Sequence, residues 1–299
     1  MAQISANGIQ IEYDTFGDRS SPALLMIMGL GSQMIRWDEV FCQQLADRGH
    51  FVIRFDNRDV GLSSKIEAAG MPNMMEAMTA VLSGKSIMSP YTLDDMADDA
   101  AGLLSGLGIE QAHICGASMG GMIAQTVAFR HPDRVLSLIS IMSTTGDPML
   151  PPARPDAMAV LTTPSPPERQ AYINNSVYVW KVIGSPGFPF DEERIRKLTG
   201  EEYDRCFYPQ GYGRQMVAIM AHGNRTERLK RVTAPTLVIH GSEDPLVPIE
   251  GGKATAKAIS GAEFLIIDGM GHDFAEGAWP QIVEAISNHT KGSFKNNVT

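Results

Sequence analysis

Three features of the 299-residue chain predict an α/β architecture, with a mostly parallel central sheet, helices on both faces and a mainly helical insertion. Short continuous apolar runs such as Ala23-Leu24-Leu25-Met26-Ile27-Met28 read as strands covered on both faces. Segments of helical period alternate with them, as in strand–helix–strand units. Nine of the 18 prolines then fall between Pro148 and Pro189, a density that breaks the alternation. The expected division is a core of residues 1–145 and 232–299, with 146–231 inserted as a helical lid.

The chain opens with Asn7-Gly8 before the alternating run Ile9-Gln10-Ile11-Glu12-Tyr13, a hairpin signal. Gly17-Asp18-Arg19-Ser20-Ser21-Pro22 turns it into the first apolar strand, which ends in Gly29-Leu30-Gly31-Ser32. Trp37, Val40, Phe41 and Leu45 recur at helical spacing before Gly49. His50-Phe51-Val52-Ile53-Arg54-Phe55 is the next strand. It runs into a polar loop at 56–63, where Arg58 and Asp59 are expected to brace neighbouring loops. Residues 71–91 carry Met71, Met74, Met75, Met78 and Met88, suited equally to an adaptable apolar pocket wall and to core filling. Thr92-Leu93-Asp94-Asp95 starts a helix with a capping-box-like pattern. Its buried stripe is Leu93, Met96, Ala97, Ala100, Leu104 and Leu107, and Gly108 ends it.

Ala112-His113-Ile114-Cys115 reads as a buried strand, and a helix is expected over 119–131, stopped by Pro132. Between them, Gly116-Ala117-Ser118-Met119-Gly120 fits the G-x-S-x-G pattern, in which a serine sits on a strained strand-to-helix turn. Glycine is needed on either side because a Cβ there would collide with neighbouring chain. A strand at 135–142 precedes the insertion. Tyr172, Tyr178, Trp180, Phe188, Phe190, Tyr203, Phe207, Tyr208 and Tyr212 lie within the insertion. Such aromatic surface would suit an apolar or ring-containing ligand, or would pack the insertion onto the core. The sheet resumes at Thr236-Leu237-Val238-Ile239-His240, followed by a polar loop carrying Asp244. A helix at 249–259, a strand Glu263-Phe264-Leu265-Ile266-Ile267, the loop Asp268-Gly269-Met270-Gly271-His272 and a helix at 275–288 complete the chain.

A serine hydroxyl is a weak nucleophile and needs a base, itself oriented by a carboxylate. Ser118, Asp244 and His272 each follow the C-terminal end of a predicted strand, and parallel sheets collect those ends on one edge. Of the seven histidines, only His272 lies in a glycine-flanked loop after the final strand. His113 and His240 fall within strands, His131 and His289 belong to helices, and His50 opens a strand. Glu243, Asp268 and Asp147 are alternative acids; Asp244 leads because Pro245 and Pro248 stiffen its loop. The main-chain amides of Leu30 and Met119 stand where an oxyanion would be held, each such donor being worth about 3 kcal/mol.

Composition narrows the function classes. At 43% hydrophobic and 20% charged, the chain can bury a sizeable core. Its net charge of -9 argues against nonspecific attraction to nucleic acid or anionic membrane. Met1-Ala2-Gln3-Ile4-Ser5 lacks the basic-then-apolar pattern of a signal peptide, and no apolar run approaches a membrane span. Cys42, Cys115 and Cys206 show no metal-ligand spacing. A cytoplasmic, thiol-reduced setting with no metal is the expectation.

At these residues the chain resembles the α/β-hydrolase superfamily across essentially its full length. Phe16-Gly17-Asp18, Pro22-Ala23-Leu24-Leu25, Met28-Gly29 and the run 52–63 look like the esterase branch containing aclacinomycin methylesterase. So does Ala112-His113 followed by Gly116 and Ser118-Met119-Gly120. The resemblance implies the α/β-hydrolase fold and carboxylic ester hydrolysis through an acyl-enzyme with no cofactor. It implies Ser118, Asp244 and His272 as the triad, and Leu30 and Met119 as the oxyanion hole. Met28-Gly29 stands where many members have His-Gly. The expected substrate is a small-molecule ester of apolar or aromatic character, with neither nucleic acid nor membrane as partner. The same scaffold also carries carbon–carbon bond hydrolases, cofactor-free perhydrolases or haloperoxidases, and non-catalytic ligand receptors.

Overall fold

Eight strands form one sheet in the computed structural model of the protein, which describes residues 1–83 and 85–296. Position 84, inside the methionine-rich stretch, and positions 297–299, the end of the expected core segment 232–299, lie outside the described residues. The strands are β1 (Ala2–Ala6), β2 (Ile9–Phe16), β3 (Ala23–Ile27), β4 (Phe51–Phe55), β5 (Ala112–Ala117), β6 (Val135–Ile141), β7 (Thr236–Gly241) and β8 (Glu263–Ile267). Their spatial order is β1-β2-β4-β3-β5-β6-β7-β8. β1 and β2 pair antiparallel through a turn in which Asn7 and Gly8 both take positive φ, as the Asn-Gly signal predicts. β2 also runs antiparallel to β4, and β3 to β8 are mutually parallel. The chain direction across the sheet reverses between β3 and β5, the kind of switch point where α/β proteins open a crevice.

Strand side chains alternate between two cores, as the period of two requires. Leu25 and Ile27 of β3, with Ile114 of β5, join one cluster; Leu24 and Met26, with Cys115, join the other. The first is covered by α3 (Leu93–Gly106) and α4 (Met119–Arg130), the second by α1 (Glu39–Ala46) and α11 (Trp279–Asn296). Thr92 and Asp95 form the expected capping box on α3, and Leu93, Met96, Ala97, Ala100 and Leu104 are its buried stripe. α4 stops at Arg130 because His131 precedes a proline and leaves the helical region at φ -126 and ψ 55. α11 starts at Trp279, later than expected, because a short 3-10 turn at Glu276–Ala278 comes first.

α2 (Met74–Leu82) does not bear out the core-filling reading of the methionine-rich stretch: Met71, Met75, Met78 and Met88 are exposed, Met88 at 93%, and Met74 is half-buried. Between β6 and β7 come α5 (Pro155–Thr162), α6 (Arg169–Ile183), α7 (Glu192–Arg205), α8 (Pro209–His222) and α9 (Thr226–Leu229), with α10 (Ile249–Ala258) following β7. Tyr172, Tyr203 and Phe207 pack on one another, with ring centroids 4.9 to 5.6 Å apart. Arg36 lies over the Trp180 ring. These aromatics thus spend at least part of their surface on internal packing. Among the described residues, no helix is long and apolar enough to cross a membrane.

The loop after β4 is a run of buried polar side chains, each satisfied elsewhere. Asp56 accepts from the Met34 and Leu62 amides and pairs with Arg205 at 2.7 Å. Asn57 donates to Met28 O at 3.0 Å. Arg58 makes two bonds to Asp99, at 2.6 and 2.7 Å. Asp59 receives two from Arg214 of α8, both at 2.8 Å, and one from the Tyr91 hydroxyl. Arg58 and Asp59 are therefore braces, as expected.

The Asp59–Arg214 pair is 0% and 1% exposed, so removing one partner strands a buried charge. Asp59→Ala should cost roughly 3–5 kcal/mol, read as a lower urea midpoint at constant m value. A second expectation concerns pH. Burial lowers both His113 and His222 to about 3, whereas an ordinary histidine titrates near 6.5. As pH falls, the unfolded chain binds these protons first, so their contribution is complete above about pH 6.5 and is lost progressively toward pH 3. Urea unfolding at pH 7.5, 6 and 5 should show that slope, and His113→Gln with His222→Gln should flatten it.

Candidate active site

Ser118 follows β5 with φ 55 and ψ -120, a conformation unusual for any residue but glycine. Close packing imposes it. A Cβ on Gly116 would lie 2.0 Å from Gly120 O, and one on Gly120 would lie 2.0 Å from Ile27 O. The Ser118 amide donates to Ile141 O at 2.9 Å, and the Ser143 hydroxyl donates to Ser118 O at 2.9 Å. α4 begins at the next residue, so its N-terminal dipole points at the serine.

His272 and Asp244 come from the loops after β8 and β7, which the sheet sets side by side. His272 Nε2 is 3.0 Å from Ser118 Oγ, and its Nδ1 is 2.7 Å from Asp244 Oδ2. A carboxylate only accepts, so Nδ1–H donates to Asp244 and Nε2 is left to accept from the serine hydroxyl. Both side chains are buried. Asp244 Oδ1 accepts from the Leu246 and Val247 amides at 2.9 and 2.8 Å, which fixes the carboxylate plane. The alternative acids lie elsewhere: Glu243 and Asp268 are exposed, and Asp147 caps the Met149 amide at 3.0 Å.

The Gly29-Leu30 turn reaches the same place. A Cβ on Gly29 would lie 3.2 Å from Ser118 Cβ. Met119 follows Ser118 directly, and its amide is one of the first-turn donors that no helix satisfies internally. The structure thus brings Ser118, His272 and Asp244 together, and Met119 and Leu30 are the chain neighbours of Ser118 and of Gly29, which packs against it. Among the described residues, no group of three or more His, Cys, Asp or Glu side chains is arranged to hold a metal ion.

Several neighbours escaped sequence reasoning. The His272 amide donates to Ile183 O at 2.7 Å, and the Gly271 amide donates to Ser185 Oγ at 2.8 Å, so the link after α6 holds the histidine loop. Ser185 in turn donates to Asp273, whose carboxyl is pushed up by burial. His240, read as a strand residue, donates from Nε2 to Val247 O at 2.8 Å and sits 3.6 Å from Asp244 Oδ2. Burial lowers its pKa, favouring the neutral ring. The Ser185 pairings span 86 and 88 residues, and His240 reaches from β7 to the loop that follows it.

Comparison with known proteins places the fold. The sequence profile of the alpha/beta hydrolase fold family matches residues 22–277. Rhodomycin D methylesterase DnrP of Streptomyces peucetius is 27% identical, over 97% of this chain and 98% of that protein. The 3-oxoadipate enol-lactonase 2 of Acinetobacter baylyi is 28% identical, over 84% of this chain and 82% of that protein. Among solved structures, the enol-lactonase of Burkholderia xenovorans has a TM-score of 0.73 at 21% identity, covering 97% of this chain and 100% of that one, a likeness of fold. With most of its length matched by the profile, the chain belongs to the alpha/beta hydrolase fold family.

Proposed function

We propose that the protein is a serine carboxylesterase acting on small-molecule esters through Ser118, His272 and Asp244. The observation that carries this reading is the continuous relay from Ser118 Oγ to His272 Nε2 at 3.0 Å and from Nδ1 to Asp244 at 2.7 Å. The nearly full-length similarity to a Streptomyces methylesterase supports the ester as the substrate class.

His272 Nε2 takes the Ser118 proton as Oγ attacks the ester carbonyl carbon. The carbonyl oxygen becomes an oxyanion, held by the Leu30 and Met119 amides. Collapse breaks the bond to the alcohol oxygen, which leaves with the proton from His272. Water then gives its proton to His272 and attacks the acyl-enzyme; the acid departs and Ser118 regains its hydrogen. Throughout, Asp244 holds the imidazole tautomer and stabilises the imidazolium. Residues 146–231 act as a lid over the core formed by 1–145 and 232–299. Their aromatic content favours apolar or ring-bearing esters. The free thiols of Cys42, Cys115 and Cys206 suit a reducing, cytoplasmic setting.

Hydrolysis of p-nitrophenyl butyrate tests the reading, with circular dichroism confirming the fold of each variant. Ser118→Ala and His272→Ala should reduce kcat to the background left by binding and the oxyanion hole. Asp244→Asn should cost roughly 10⁴-fold, since it supplies the wrong tautomer. An organophosphate should add covalently to wild type at Ser118 and not to Ser118→Ala, as read by peptide mass spectrometry. Unchanged turnover in a folded Ser118→Ala variant would overturn the assignment.

A further inference from the structure

The turn after β3 is held by α8. Its ends close through the Ser32 amide to Gly29 O at 3.3 Å, and Gly31, in the third place, has φ 67. That is the signature of a type II turn, in which the Leu30–Gly31 peptide can flip unless something holds it. Two residues of α8 pack against Gly31. A Cβ on Gly31 would meet the Tyr212 ring at 2.4 Å, and the Gly31 amide donates to Gln215 Oε1 at 2.8 Å.

Gln215 is fully buried, and both ends of its amide are committed. Its Nε2 donates to Arg58 O at 2.8 Å, and Arg58 is itself clamped by Asp99. Arg58 O can only accept and Gly31 N–H can only donate, so the orientation of the Gln215 amide is dictated by its neighbours. A flipped peptide would turn the Leu30 carbonyl toward Gln215 Oε1, acceptor against acceptor. Arg214, one residue earlier, locks the same helix to Asp59. The other end of the turn is held by Asn57, which donates to Met28 O.

We propose that Gln215 is a positioning residue for the oxyanion hole: by capturing the Gly31 amide, it fixes the turn whose Ser32–Gly29 bond holds the Gly29–Leu30 peptide, and so the place of the Leu30 amide that meets the substrate oxygen. This rests on the serine-esterase reading above. The pair lies 184 residues apart in sequence, so the aim of one catalytic donor is set from the helical segment between β6 and β7. The effect belongs to the transition state, because charge develops on the carbonyl oxygen only there.

The test uses the full chain carrying Gln215→Leu and, separately, Gln215→Met, an unbranched side chain of matching length without hydrogen bonds. The Met variant supplies the measurement should the Leu variant fail to fold. With p-nitrophenyl butyrate, kcat should fall about 10- to 100-fold, less than the roughly 10²–10³-fold expected for losing a donor outright, while KM changes less than about twofold. Butaneboronic acid, which forms a tetrahedral adduct on the serine, should lose affinity by the same factor as kcat/KM; butyrate, the flat product, should not. A merely structural role would lower Tm without separating the two ligands. Wild-type kcat and boronate affinity in a folded variant would overturn the proposal, as would a kcat loss with boronate affinity retained. Ser118→Ala in the same series separates the levels: wild-type turnover that does not need Ser118 would remove the underlying reading, and with it this one.

Discussion

Gly120 lies so close to β3 that no methyl group fits between the two backbones. That contact presses the first turn of α4 onto the sheet and leaves Ser118 only the strained angles it has. Strain of this kind, costing on the order of 1–3 kcal/mol, persists only where surrounding contacts over-determine it. Here they do: the Ile141 carbonyl and the Ser143 hydroxyl hold either side of the Ser118 peptide, and Gly29 closes in from β3. The histidine and acid loops are built to meet a hydroxyl whose place is already settled.

A second level of order comes from buried charge. Four consecutive residues, Asp56 to Asp59, are all buried and each binds a different part of the chain. Such groups are costly to desolvate, and what they provide is direction: each accepts few partners and only in one geometry. The result is that loops around Ser118 are tied to helices they do not adjoin in sequence. The segment between β6 and β7 holds the histidine loop through Ile183 and Ser185, and the turn after β3 through Gln215.

The strands and the elbow were legible because their signals are local. β3 announces itself by a continuous apolar run, β4 to β6 by mostly apolar ones, the hairpin by Asn7-Gly8, and α3 by Thr92 and Asp95. The meeting of Ser118, Asp244 and His272 was legible for a topological reason: parallel strands deliver their C-terminal loops to one edge. Local patterns could not show Gln215, Ser185 or His240 near the site, since their partners are chosen by packing. The methionine-rich stretch was illegible for a different reason, because composition does not tell which of its side chains another element covers.

The order of these parts along the chain has a consequence for biosynthesis. Ser118 and His272 are 154 residues apart, and the histidine arrives on the last loop before the closing helix. A nascent chain emerging from the ribosome carries Ser118 well before His272, which is made only after β8. Contacts of such long range close late and slowly. On the proposed reading, the serine therefore lacks its base until the sheet is complete.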